Sequence, residues 1–536
     1  MTNTSTSSVT DPVRAGIANG WNVIDASTLE SSRTIEADAV IIGTGAGGGV
    51  TAETLADAGF NVVLIEEGPL KSSTDFRMRE AEAYPELYQE SAARKTEDKA
   101  ISILQGRCVG GGTTVNWTSS FRTPPATLAY WARAFGIEGF GSDDLTPWFE
   151  RMESRLSIAP WTAPPNANNA ALAIGTAKLG YQSATIHRNV NGCRNLGYCG
   201  MGCPTNAKQS MLVTTIPAAL GRGATLVTRA RAVAFEWRGD RVQALMCAAM
   251  DARGTAPTNT RITIRARAYV ACAGAIGTPA LLLRSGVPDP YGVVGRRTFL
   301  HPAVVSAALM PEYVDGFSGA PQSVYSDQFL ESATIDGPIG FKIEAPPIHP
   351  LLTATTFPNH GALHAKHMRE LRHLHVLIAL LRDGFHPESP GGIVRLANDG
   401  TPVLDYPLND YLWSGVRRAM AAMARIQFAA GARSVAPVHG DGRAFTSAGE
   451  AQDAIESLAL QPLATPLFSA HVMGGAPLGP DPRHAAVDVQ GRYHHLGNLH
   501  VIDGSLFPTS IGANPQLSIY AIAAKLATGL ASALKS

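Results

Sequence analysis

The chain has 536 residues, 45% of them hydrophobic and 16% charged, with 44 acidic and 44 basic side chains. That length exceeds one simple core and predicts two domains, and the composition excludes a chain that stays disordered. The charge balance excludes the basic field that nucleic-acid binding needs, and six cysteines are too few for a disulfide framework.

The polar opening, residues 1–8, lacks the basic start and apolar stretch of a secretory signal and reads as the beginning of a loose arm over 1–35. Residues 39–42, Ala-Val-Ile-Ile, read as a buried strand running into Gly43-Thr44-Gly45-Ala46-Gly47-Gly48-Gly49. Residues 50–58 have helical character, Gly59 closes them, and residues 62–65 give a second apolar strand that ends at Glu66. This is a complete βαβ unit. Gly43 permits its tight turn, Gly45, beside Ala46, lets the backbone approach a pyrophosphate, and Gly48 lets helix pack on strand. Glu66 stands eighteen residues past Gly48, where a carboxylate can accept hydrogen bonds from ribose hydroxyls. The pattern marks a dinucleotide site without separating FAD from NAD.

A second glycine cluster spans residues 106–116, Gly-Arg-Cys-Val-Gly-Gly-Gly-Thr-Thr-Val-Asn, and its bare backbone suits close approach to a bulky planar ligand. Cys193, Cys199 and Cys203 follow in a glycine-rich loop. Three thiolates there suit an iron–sulfur cluster such as [3Fe-4S], and equally a tight structural loop with buried thiols. Residues 269–279 again pass from strand through a small-residue turn to a helix, with Pro279 near its first turn.

From 304 to 465 the glycine motifs stop. Residues 393–396 and 403–406 flank Asn398-Asp399-Gly400 as a hairpin, and residues 411–430 form a helix closed by Gly431. His360, His364 and His367 have helical spacing, yet Pro358 and Gly361 disturb a helix and no carboxylate joins them, so they read as solvated residues. Leu374–Leu381 is the densest apolar run, far short of the eighteen residues of a membrane span; it suits the wall of an apolar site and equally a helix core. His494-His495 reads as a surface turn.

The last seventy residues carry Ser469-Ala470-His471-Val472-Met473-Gly474 and, some forty positions on, Asn514-Pro515. Imidazole is a proton acceptor near working pH and an Asn amide is a hydrogen-bond donor, the pair needed to take a hydroxyl proton while hydride leaves an alcohol carbon. Asn514-Pro515 reads as cap and first residue of a helix over 517–526.

Residues 106–116 resemble the first signature of the glucose-methanol-choline (GMC) oxidoreductases, a family of FAD enzymes; residues 274–286 resemble the second, and 501–515 the carboxyl-terminal flavin segment. The likeness covers about residues 36–530, with Ser120 and Pro288 departing from the signatures. Within the family it is to long-chain fatty alcohol oxidases, through Leu300-His301-Pro302, the cysteine loop and the Ser-Ala-His-x-Met-Gly segment, while bacterial GMC dehydrogenases and cholesterol oxidase share the His and Asn arrangement.

The resemblance implies an α/β (α+β) two-domain fold: a Rossmann-like FAD-binding domain from 36–303 and 466–536, and a substrate-binding domain of antiparallel sheet and helices over 304–465. It implies that His471 is the base and Asn514 the donor to the substrate oxygen. Gly43, Gly45, Ala46, Gly48, Glu66, Arg107, Gly110, Gly111, Asn116, Asp503, Gly504 and Pro515 would hold FAD. No His occurs in residues 100–121, where some relatives attach flavin covalently, so dissociable FAD is expected. The expected reaction oxidises an aliphatic or apolar alcohol to aldehyde or ketone, with oxygen, a quinone or a cytochrome as acceptor. Two alternatives stand beside it: a dehydrogenase subunit passing electrons through a cluster on Cys193, Cys199 and Cys203, as in sugar dehydrogenases of the family, and a hydroxynitrile-lyase-like FAD protein. A cytoplasmic protein, at most peripheral to a membrane, is expected.

Overall fold

The computed structural model describes residues 9–331 and 334–536, so the expectation for residues 1–8 lies outside the described residues. Two eight-stranded sheets organise the chain. In the first, strands Asn22–Asp25, Thr225–Thr228, Val62–Ile65, Arg33–Ile42, Pro257–Ala271, Arg241–Met250 and Ala230–Arg238 lie in that order. The first five are parallel and the last two antiparallel. The last four residues of Arg33–Ile42 and all of Val62–Ile65 are buried, as parallel strands covered on both faces require.

Part of the expected arm over 1–35 is built into this sheet. Pro12–Ala18 is a helix whose N–H groups are capped by Asp11, and Asn22–Asp25 pairs in parallel with Thr225–Thr228 at the edge. A four-residue strand with polar ends is too short for alternation to be read. Leu499–Val501, from the far end of the chain, pairs in parallel with Pro257–Ala271. The helix Gln516–Lys535 then packs on Ala46–Asp57 and Ser142–Arg155. With mean hydropathy 1.5 over a spanning length, this helix corrects the expectation that no run approaches eighteen apolar residues. Its composition follows from burial of Leu517, Tyr520, Ile522 and Leu526 against the glycine-loop helix; each large apolar side chain buried this way stabilises by about 1.5–3 kcal/mol.

The second sheet runs Ile101–Ile103, Leu467–Ser469, Ala303–Leu309, Leu374–Leu381, Phe341–Glu344, Val324–Phe329, Ala184–Thr185, with Ser434–Pro437 also paired to Ala303–Leu309. Strands at both ends thus come from chain before residue 304. Leu374–Leu381 is a strand covered on both faces, which is why its sequence shows no alternation. Leu377, Ala379 and Leu381 pack against Val416, Met420 and Met423 of helix Asp410–Ala429, while Val376, Ile378 and Leu380 line a cavity on the other side. The expected hairpin is present as Ile393–Leu396 and Pro402–Asp405. Contrary to expectation Gly361–Arg369 is helical; His364 Nε2 bonds the Ala354 carbonyl and His367 stacks on Phe357.

Candidate active site

One cavity runs from the glycine loop to the second sheet. Gly43, Thr44, Gly45, Ala46 and Gly47 line one end. The helix begins at Ala46, inside the glycine run and four residues before the expected start, so the N–H groups of its first turn belong to the cavity wall. Gly43 has φ +101°, and a Cβ on Gly48 would lie 1.9 Å from its carbonyl oxygen, so Gly48 sets helix against strand from behind the wall. A Cβ on Gly45 would meet only Gly111 Cα, at 4.0 Å, and would otherwise project into open space.

Glu66 lines the cavity, but its oxygens are engaged by protein: Oε2 accepts from the Thr44 hydroxyl at 2.6 Å and amide at 3.2 Å, Oε1 from the Gly68 amide at 2.9 Å. It therefore braces the glycine loop as well as facing the cavity, and burial raises its pKa. Besides Gly48, two residues expected to hold FAD lie outside the cavity wall. Arg107 is not in the wall; its guanidinium turns to Glu67, at 2.9 Å, and to the Gly254 carbonyl. Gly110 lies behind Gly111, with its amide donating to Thr44 Oγ1 at 2.9 Å. Asn116 is in the wall and donates to Gln516 Oε1 at 2.6 Å.

Asp503, Gly504 and Pro515 are also in the wall. Asp503 accepts from the Gly274 amide at 2.8 Å, the Thr278 hydroxyl at 2.6 Å and the Ser505 amide at 2.8 Å. It thereby ties the carboxyl-terminal segment to helix Gly274–Arg284. Pro279 is the sixth residue of that helix, not in its first turn, because the connection from Ala271 is only two residues long.

His471 and Asn514 lie in the same cavity wall. His471 follows strand Leu467–Ser469, and its Nδ1 sits 3.1 Å from Nδ1 of His301, leaving Nε2 to meet a ligand. Burial lowers the His471 pKa to about 4. Asn514 does not cap the last helix, which begins at Gln516 with Pro515 in the cap position. Its Nδ2 is instead 3.4 Å from Glu344 Oε2, which also accepts from Gln322, and Asn514 Oδ1 and Glu344 Oε1 are buried without hydrogen-bond partners among the described residues. His301, Glu344 and Gln322 were not singled out as site residues by sequence. For His301 the Leu-His-Pro triplet was the available signal.

For the cysteine loop, which the sequence left open between a cluster and a structural loop, the geometry gives the cluster no support. Among the described residues no three His, Cys, Asp or Glu side chains converge as a metal site, and Cys193, Cys199 and Cys203 are free thiols. Cys203 Sγ is 3.4 Å from Thr205 Oγ1 and 3.5 Å from the Lys208 amide, while Cys199 Sγ is 3.6 Å from Arg188. Lys208, buried below them, donates to the carbonyls of Thr114, Asn116 and Cys199 at 2.6–2.8 Å. The loop thus anchors the second glycine cluster.

Two family models described as GMC oxidoreductase match residues 84–303 and 387–523. A GMC-type oxidoreductase, y4nJ, of Sinorhizobium fredii is 30% identical over 504 residues, 93% of this chain and 95% of its own length. The chain belongs to the GMC oxidoreductase family. It is also 30% identical to a long-chain-alcohol oxidase, FAO4B, of Arabidopsis thaliana over 92% of this chain and 68% of that one. Pyridoxine 4-oxidase from Mesorbium loti shares the fold, with TM-score 0.69 and 21% identity over 92% of this chain and 98% of that one. This GMC oxidoreductase is accordingly an FAD oxidoreductase. Its residues fit that cofactor: a helix N-terminus and bare glycines meet the pyrophosphate requirement at one end of the cavity, and a His and an Asn stand at the other.

Proposed function

We propose that this protein oxidises the carbinol carbon of an apolar alcohol to an aldehyde or ketone. The observation that carries the reading is that His471 and Asn514 share a cavity with the glycine loops and with an apolar wall made of cross-strand pairs. Ala303 faces Leu380, Val305 faces Ile378 and Ala307 faces Val376; Val438, Phe468, Ile348 and Phe357 extend the surface. Such a wall gains free energy from methylene groups, at about 0.8 kcal/mol each, and its aliphatic side chains give a sugar's hydroxyls no hydrogen bonds, leaving only the few polar groups such as Thr353 and Thr356 at its margin.

FAD, when bound along the glycine loops, supplies the hydride acceptor. His471 takes the hydroxyl proton at Nε2, for which a neutral ring is needed, and its low pKa keeps the ring neutral at ordinary pH. Asn514, its amide directed by Glu344, donates to the substrate oxygen and stabilises developing negative charge in a site from which the apolar wall excludes water. The N-terminus of helix Gln516–Lys535, beside Asn514, adds a favourable dipole for negative charge. FAD is held without a covalent bond, since residues 100–121 contain no His.

An anaerobic titration of the purified protein with straight-chain, aromatic, sterol and sugar alcohols tests the reading through bleaching of the flavin band. Bleaching by apolar alcohols is expected; bleaching by sugars alone would overturn the substrate class, and no bleaching by any alcohol would overturn the reaction. Rapid return of colour on admitting air is expected, with oxygen as acceptor.

A further inference from the structure

His301 does not line the cavity and is wholly buried, yet its ring is built against His471 with care. Its backbone has φ +48°, a left-handed conformation that a Cβ disfavours. The segment is held there by Asp383, whose two oxygens accept the amides of Leu300 and His301 at 3.1 Å each and which also accepts the Tyr406 hydroxyl at 2.6 Å. Ser469 ties the two histidine segments together: its hydroxyl donates to the Leu300 carbonyl and its oxygen accepts the His471 amide at 3.3 Å.

The rings meet Nδ1 to Nδ1 at 3.1 Å, with a tilt of 32°. Two neutral imidazoles can make that contact only if one nitrogen carries hydrogen and the other a lone pair. We propose that His301 is a positioning residue that accepts the Nδ1 proton of His471 and so holds His471 in the tautomer with a bare Nε2 toward the alcohol; this rests on His471 being the base. Neutral imidazole left to itself favours hydrogen on Nε2, which would aim a donor at the substrate hydroxyl and leave no site for its proton. His301 in that ordinary form presents the lone pair on Nδ1 that reverses the preference in its neighbour.

When His471 gains the alcohol proton at Nε2, its Nδ1 hydrogen remains donated to His301 and no bond to His301 breaks. His301 Nε2 has no hydrogen-bond partner among the described residues, so the proton has no onward route through it. The pair orients the base and does not relay. A neutral partner also leaves His471 without the counter-charge that a carboxylate would bring.

The test is the protonation state of the His471 ring in the FAD-loaded protein, read from long-range proton–nitrogen NMR spectra of histidine labelled with nitrogen-15. The His471 signals are identified by their loss in His471→Gln. Hydrogen on Nδ1 and a bare Nε2 are expected at pH 7.5; hydrogen on Nε2 overturns the proposal. His301→Ala, which removes the acceptor, should move His471 to the Nε2-protonated form and slow flavin reduction at saturating alcohol at least about tenfold, with a smaller change in KM. His301→Asn keeps an acceptor oxygen and tolerates the left-handed backbone, and should retain the tautomer and most of the rate. Equal loss in both variants with an unchanged His471 tautomer would reduce His301 to packing and overturn the proposal. Should His301→Ala fail to hold FAD, the wild-type and His301→Asn spectra decide it. Undiminished flavin reduction in His471→Gln would defeat the base assignment, and that result is separate from the tautomer.

Discussion

The His471 imidazole owes its low pKa to desolvation, with no carboxylate opposing it. The ring should therefore lose its proton-accepting form only as pH falls through about 4, and kcat/KM should hold across pH 5–7 where a solvated His would already be failing. A pH profile of anaerobic flavin reduction checks this; an acid limb near 6.5 would contradict it. Replacing the ring by Gln should slow reduction about 10²–10⁴-fold while the protein stays yellow. The glycines at 43, 45 and 48 were legible in the sequence because each answers a backbone demand that a motif spacing records. His301 and Glu344 were not, because each meets its partner across 170 residues of chain, His301 at His471 and Glu344 at Asn514, and only the folded second sheet brings them together. Arg107 was named through the resemblance alone, and its pairing with Glu67, forty residues earlier, had no signal in the sequence.

At the level of elements, the apolar wall is a property of two strands rather than of any one residue. Ala307 and Val376 face one another across the pair. Ala307→Phe should therefore fill space meant for a substrate chain, lowering kcat/KM for long alcohols about tenfold or more while short ones are spared. A chain-length series in the variant and the wild type measures it. The glycine-loop helix is equally constrained: a Cβ on Gly47 would lie 1.8 Å from the Ile502 carbonyl oxygen. Gly47→Ala should cost about 1–3 kcal/mol or more and yield pale protein with a lowered Tm, read by the ratio of flavin to protein absorbance and by calorimetry. Sequence legibility followed periodicity here. The hairpin about Asn398-Asp399-Gly400 and the helix before Gly431 carry turn and cap residues, whereas Leu374–Leu381, buried on both faces, carries none.

Across the whole molecule, protonation couples to stability through histidines that fold away from water. His375, wholly buried with Nδ1 at 2.8 Å from Asn168 Oδ1, has its pKa lowered to about 3. The unfolded chain binds this proton below about pH 6.5 and the folded chain does not, so its contribution is full above 6.5 and declines as pH falls from there toward 3. Wild-type protein should lose up to about 1.4 kcal/mol per pH unit more than His375→Gln over that window. Melting both proteins between pH 7 and 5 checks the difference in slope.

The strand Leu499–Val501 and the helix Gln516–Lys535 complete the nucleotide sheet and its helical cover from the last tenth of the chain. Asp503, Asn514 and Pro515 lie between them. A polypeptide on the ribosome makes the glycine loop hundreds of residues before Ile502, against whose carbonyl Gly47 packs. The glycine loop therefore waits, through the synthesis of most of the chain, for the residues that close over it, and a nascent chain that has not yet emerged through Asn514 has no finished flavin site.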